Sequence, residues 1–330
     1  MQSPLVVLDG GRVAFAGAAA AAPRELAGEA DEELVVDGFV LPGVVDRHVH
    51  VALSDPAAIL AGGVTAVRDL GWVPDDVWSL ADASDSPSFD GPTIRAIGPI
   101  LTCPGGYPTR SGWAPAGTGR EVRGAEEAAA AVGEVLDRSG VGMVKVALNA
   151  DAGPTLTDEE LVAICDAAHA REAGVTVHAQ GAGQAERAAG AGVDEFAHCP
   201  WSERLSDGFL ASIAGRMRIV STLDIHSHGV ETPELHTALA NLNGFIQAGG
   251  RVAYGTDLGN GAIPAGVHVG EAWHLRRAGL TPEQVVEAMT FRPLEAGEPA
   301  DLIVLGANPF EDLNALADLR AVIHAGRRYR

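Results

Sequence analysis

Apolar residues along this chain gather into short continuous runs, and between most runs lie longer stretches with apolar positions at helical spacing. Eight of the short runs predict strands: residues 44–50, 64–70, 93–98, 143–148, 175–178, 195–198, 218–223 and 251–257. Continuous apolar runs of this length read as strands buried on both faces. The longer stretches at 125–138, 158–172, 184–191, 233–248 and 267–278 predict helices. Thr157 followed by Asp158-Glu159-Glu160 has the form of a capping box. Thr281-Pro282-Glu283-Gln284 repeats it, with proline at the first helical position. Strands alternating with helices predict the α/β class, and eight of them a parallel (β/α)8 TIM barrel. An open doubly wound sheet is the alternative, but no glycine fingerprint opens a strand–helix unit.

The two ends break the alternation. Residues 5–8, 12–15 and 33–36 are short β-like pieces, and so are 301–305 and 321–324. Both ends are expected to join in a small β-sandwich domain, residues 1–40 with 300–330, beside a barrel of residues 41–299. With 330 residues, 47% of them hydrophobic, the chain can bury a core of that size.

Composition narrows the function classes. Lys and Arg number 23 against 44 Asp and Glu, a net charge of -21, so neither nucleic acid nor an anionic membrane is an expected partner. No apolar run approaches the ~20 residues of a spanning helix. Met1-Gln2-Ser3-Pro4 opens no basic-then-apolar signal segment. Cys103, Cys165 and Cys199 are odd in number and far apart, which fits neither a disulfide framework nor a Cys-x-x-Cys zinc site. A reducing cytoplasm is the expected location. Oligomeric state is left open, a homo-oligomer included.

The chemistry shows in where polar residues interrupt the runs. His48 and His50 leave the end of the first strand two residues apart, on one face, where one divalent metal could take both. Barrels of this kind carry their chemistry at the C-terminal ends of the strands. His178, His198 and Asp257 fall at such ends, and Lys145 lies within the fourth strand. By contrast, His169, His236 and His274 fall on helices or loops. A lysine buried in a strand is costly unless paired or neutral. Burial would depress its pKa, and the free amine could add carbon dioxide to give a carbamate able to bridge two metals. The other reading is a salt bridge to Asp257 or Asp69.

Together these pieces resemble the amidohydrolase superfamily of metal-dependent hydrolases, most closely its imidazolonepropionase-like and Xaa-Pro dipeptidase-like (prolidase-like) branch. The matching segments are LPGVVDRHVH, GVTAVRDLG, VKV around Lys145, VTVHAQG, GVDEFAHC, GTDLG and the tail EPADLIVLGANPFEDL. They run over essentially the whole chain in the family's order. The resemblance implies that His48, His50 and Asp257 hold the more buried of two divalent metal ions, zinc being the first candidate. It implies that His178 and His198 hold the second, and that Lys145, carboxylated by carbon dioxide, bridges the two. Asp257 would also move the proton while metal-bound hydroxide attacks the carbonyl of an amide, cyclic amide or dipeptide-like C–N bond in a small-molecule substrate.

The chain departs from that pattern in three places. Relatives often carry histidine in the loop after the third strand, where this chain has Cys103-Pro104-Gly105-Gly106-Tyr107. Tyr107 could donate to a substrate oxygen or simply pack. After the seventh strand, His226 and His228 come near the expected barrel mouth, where they could contact substrate or belong to a plain solvated loop. The join from Thr290 to Asp301 is short. Arg68-Asp69, ending the second strand, is either an ion pair at the barrel top or a substrate contact. Trp113 and Trp201 could wall the pocket or pack. Other functions compatible with the scaffold are a deaminase, a lactonase or a non-hydrolytic lyase, and, further off, a non-catalytic binding protein. Deaminases of the superfamily usually lack the bridging lysine, so Lys145 weighs against that one.

Overall fold

The computed structural model describes residues 4–26, 32–290 and 292–330. In chain order the strands are β1 (Pro4–Asp9), β2 (Arg12–Ala18), β3 (Phe39–Pro42), β4 (Val44–Val49), β5 (Val64–Asp69), β6 (Thr93–Ala96), β7 (Ile100–Thr102) and β8 (Gly119–Glu121). They continue with β9 (Met143–Asn149), β10 (Gly174–Gln180), β11 (Glu195–Phe196), β12 (Arg218–Val220), β13 (Arg251–Ala253), β14 (Leu302–Leu305), β15 (Leu319–His324) and β16 (Arg327–Arg328). The helices are α1 (Pro56–Ala61), α2 (Pro74–Ser84), α3 (Gly124–Leu136), α4 (Asp158–His169), α5 (Gln184–Ala191), α6 (Asp207–Ala214), α7 (Pro233–Gln247), α8 (Val269–Arg277) and α9 (Pro282–Met289).

The barrel is read from two parallel runs and their seams. One run is β4-β5-β6 and the other β7-β9-β10-β11-β12-β13, with β8 a short addition to β7. The third barrel strand is split at Gly98-Pro99, so that β6 pairs with β5 while β7 pairs with β9. Gly98 takes φ +86 there, a backbone that glycine adopts without steric cost. At the other seam, Arg47 N donates to Tyr254 O (3.1 Å), Asp257 N to His48 O (2.8 Å) and His50 N to Leu258 O (2.8 Å). The chain after β13 therefore runs beside β4, and the ring of eight is complete. The apolar faces of strands and helices meet in one large core that includes Leu101, Val146, Phe196, Ile219 and Phe245.

Both ends of the chain build a second, smaller unit. β3, β14, β15 and β16 form a four-stranded antiparallel sheet. Val6 and Leu8 of the β1–β2 hairpin pack on its buried Leu302, Val304, Ala321 and Ile323. This is the expected sandwich of the two ends. One strand differs from expectation: residues 33–36 are not extended in a sheet, and Phe39–Pro42 takes the place beside β14.

The capping boxes at Thr157 and Thr281 are both formed. Three short helices, α1, α2 and α6, were not signalled by periodicity, being 6, 11 and 8 residues long. β11, β12 and β13 stop two to four residues before the expected ends of their apolar runs. The remainder of each run bends out of the ladder and becomes a loop of the site.

Candidate metal centre

β4 delivers His48, fully buried, and its continuation delivers His50. His48 Nδ1 lies 2.6 Å from Ala197 O, and His50 Nδ1 lies 2.9 Å from Gly71 O. A carbonyl oxygen only accepts, so each Nδ1 carries the proton and each neutral ring presents the lone pair of Nε2. Burial pushes the His48 pKa well below its usual value, which keeps that ring neutral. The two Nε2 atoms lie 3.2 and 3.3 Å from one oxygen, Asp257 Oδ1. That oxygen is buried and has no hydrogen-bond donor. Two lone pairs thus face a carboxylate oxygen with no proton between them, which is repulsive unless a cation sits among the three. The three ligand atoms lie within 4.8 Å of one another. The donor set therefore fits a divalent metal.

Asp257 reaches this place from a loop residue at φ +58, a left-handed backbone that aspartate tolerates better than most side chains. Its other oxygen accepts from Asn260 Nδ2 at 2.9 Å.

Lys145 points from β9 into the same space and is 2% exposed. Its Nζ lies 3.1 Å from His48 Nε2. Burial lowers its pKa to about 8, against the partial support of the Asp257 and Asp69 charges. Among the described residues no ion pair joins it to either carboxylate. Asp69 is instead occupied by Val51 N (2.7 Å) and Gly71 N (2.9 Å).

His178 lies inside β10, and His198 two residues beyond β11. The His198 ring is 4.4 Å from that of His48 and 4.8 Å from that of His178. His198 Nδ1 bonds Thr222 Oγ1 at 2.9 Å, leaving Nε2 toward the cluster. His178 Nε2 lies 3.3 Å from both Asn149 Nδ2 and Gln180 Oε1. Burial lowers the His178 pKa to about 3, so this ring too is neutral.

Over the cluster opens a cavity of about 230 Å³. Tyr107 lines it, stacked on His178 at 4.8 Å, with its Oη accepting from Trp113 Nε1 at 3.0 Å. Trp113 packs on His50 at 4.6 Å, and Trp201 stands edge-on to His198 at 5.5 Å. His226 also lines the cavity, its ring 4.5 Å from Trp201 and its buried Nε2 without a partner. Burial lowers its pKa to about 4.

Two expected substrate residues lie elsewhere. His228 is exposed, at φ +43, and does not line the cavity. Arg68 is absent from the lining as well, and it does not pair with Asp69. Its Nη2 meets Glu195 Oε1 at 2.5 Å, and Arg218 grips Glu195 Oε2 at 2.6 Å. Glu195 and Arg218 begin β11 and β12, so this triad closes the end of the barrel away from the site.

Sequence reading missed the groups that orient the ligands. Gln180 and Asn260 stand two and three residues after His178 and Asp257, spacings that could have signalled shared faces. Nothing local marks Thr222, or the carbonyls of Gly71 and Ala197. A further buried network holds the loop that carries His226. Asp224 accepts from His268 Nε2 (2.6 Å), His274 Nε2 (3.0 Å) and Ser227, and Glu271 accepts from Leu223 N and Asp224 N. The His268 and His274 hydrogen bonds hold the Asp224 carboxyl well below the usual carboxylate range.

The profile of the amidohydrolase family matches residues 39–327. The chain belongs to the amidohydrolase family. An uncharacterised protein of Mycobacterium bovis is 29% identical, over 88% of this chain and 85% of the relative. Among solved structures, a Xaa-Pro dipeptidase with bound methionine in its active site superimposes with a TM-score of 0.78 at 23% identity, covering 98% of this chain and 94% of that one. Ochratoxinase of A. niger gives 0.80 at 20% identity, covering 99% and 91%. These likenesses show a shared amidohydrolase fold. Amidohydrolases generally use a divalent metal, and the chain is a metal-dependent hydrolase of this family. Among the described residues no helix is long and apolar enough to cross a membrane.

Proposed function

We propose that this amidohydrolase cleaves a C–N bond of a small-molecule amide or cyclic amide at a binuclear centre held by His48, His50, Lys145, His178, His198 and Asp257. The observation that carries this reading is the meeting of two Nε2 lone pairs with the donorless oxygen of Asp257. Divalent cations on these ligands, zinc being the best match to an imidazole-rich set, supply Lewis acidity and an activated water at neutral pH. Lys145 has the depressed pKa that carbamate formation needs, which supports its role as the carboxylated bridge. Asp257, steadied by Asn260, takes the proton of the attacking water and returns it to the departing nitrogen, so that a carboxylate and an amine leave. Trp113, Trp201 and Tyr107 wall the space and exclude bulk water. The three cysteines are buried and unpaired, which suits a reducing compartment such as the cytoplasm.

Elemental analysis of the purified protein tests the centre: about two transition-metal ions per chain are expected. Asp257→Asn should fold as the parent does and lose turnover by about 10²–10⁴-fold. A preparation that neither contains nor rebinds metal would end the reading, as would full turnover in the asparagine variant.

A further inference from the structure

The cavity also bears on which amides can enter, an inference that rests on the hydrolase reading above. At about 230 Å³ it is smaller than the ~300–1,000 Å³ of drug-sized sites. Among its described lining residues the only lysine or arginine is Lys145, and that side chain belongs to the ligand cluster. No fixed cation is left to pair with a second, anionic group on a substrate.

The neutral donors are also largely taken. Gln180 Nε2 donates to Asp151 Oδ2 at 3.3 Å, and Asn260 Nδ2 donates to Asp257. The indole N–H of Trp113 is given to Tyr107. His226 keeps an unpartnered Nε2, on a ring that burial holds neutral. A carboxylate held beyond the metal ligands would lose its water without gaining a side-chain ion pair, and that cost falls on affinity. The net charge of -21 also disfavours the approach of anions.

What the cavity does offer is flat apolar surface and neutral polar groups, the unpartnered His226 Nε2 and the hydroxyl of Tyr107 among them. Trp113 and Tyr107 cover His50 and His178, while Trp201 lies between His198 and His226. Aromatic walls of this kind suit a planar group. We propose that the site selects compact, uncharged amides bearing a flat apolar group, with His226 Nε2 hydrogen-bonding a polar atom of the amide, and discriminates against substrates with a free carboxylate, dipeptides and N-acyl amino acids among them.

Matched pairs differing only in that group test this: N-benzoylglycinamide against N-benzoylglycine, and N-benzoylprolinamide against N-benzoylproline. Product release is followed with the zinc-loaded full chain, and binding by quenching of tryptophan fluorescence in the same protein. The uncharged member should be favoured at least tenfold in kcat/KM and in Kd. An equal or reversed preference overturns the proposal. If no member of either pair is hydrolysed by metal-loaded protein, the hydrolase reading is what fails for these amides, and the binding preference still decides the inference. His226→Arg should raise the affinity of N-benzoylglycine at least tenfold relative to its amide. A folded variant without that shift counts against the cavity as the source of selection.

Discussion

Replacing Glu195 by glutamine is expected to weaken the whole barrel while leaving the metal ligands in place. The carboxylate is 1% exposed and meets Arg68 at 2.5 Å and Arg218 at 2.6 Å, with Thr176 Oγ1 donating at 2.9 Å. Glutamine keeps the shape and an acceptor for Thr176 but removes the charge between two guanidinium groups. Removing one partner of a fully buried ion pair costs about 3–5 kcal/mol. Arg68 is 16% and Arg218 38% exposed, so water recovers part of the loss, and about 2–3 kcal/mol remains. For a chain of 330 residues that is a fall in Tm of about 3–4 °C. The assay is a thermal melt of metal-saturated protein at pH 7, both proteins scanned at one rate.

The pH dependence gives a second check on the same residue. Burial tends to raise the Glu195 pKa, but the charges and hydrogen bonds of Arg68 and Arg218 outweigh it and hold the pKa below its ordinary value of 4.5. A depressed carboxylate stabilises the fold fully above the unfolded pKa and loses that contribution as pH falls through the folded one. The gap between parent and variant should therefore be constant near pH 7 and narrow below about pH 4.5. A variant melting within about 1 °C of the parent at pH 7, or a gap that widens in acid, would refute the argument.

The other predictions are shorter. Lys145→Ala should lower the metal content from about two ions per chain to one or fewer, and two retained ions would remove the bridging role. Thr222→Val takes away the hydrogen bond that orients His198 and should weaken metal affinity by about 10–100-fold in competition with a chelator; unchanged affinity would mean that the ring needs no such support. Thr157→Ala removes the side-chain half of the α4 capping box and should cost about 1 kcal/mol in denaturant unfolding, with no change in metal content.

Much of the site was legible because its residue types are costly where they stand. A lysine inside an apolar run, and histidines at i and i+2 ending another, cannot be ordinary core residues. Their strands could be counted for the same reason: a buried parallel strand reads as a continuous apolar run. Helices were found where apolar spacing or a capping box announced them, as at 184–191, Thr157 and Thr281, and the short α1 and α6, which lack such a box, were missed. Strand ends were placed too late in β11, β12 and β13, because an apolar residue continues the pattern whether or not its backbone stays in the ladder.

By itself, then, the sequence determined the alternation of strands and helices, the meeting of the chain ends and the residues that could ligate metal. These are local properties, carried by periodicity, capping and the cost of burying a polar group. Tertiary structure decided the rest. It turned Arg68 to Glu195 instead of Asp69, sent His226 into the cavity and His228 to solvent, and aimed Nε2 of His48 and His50 by placing the Ala197 and Gly71 carbonyls behind them. Such outcomes depend on which atoms meet across residues far apart in the chain: Ala197 lies 149 positions from His48. No local pattern encodes that meeting, because the closed ring of strands is what brings the partners together.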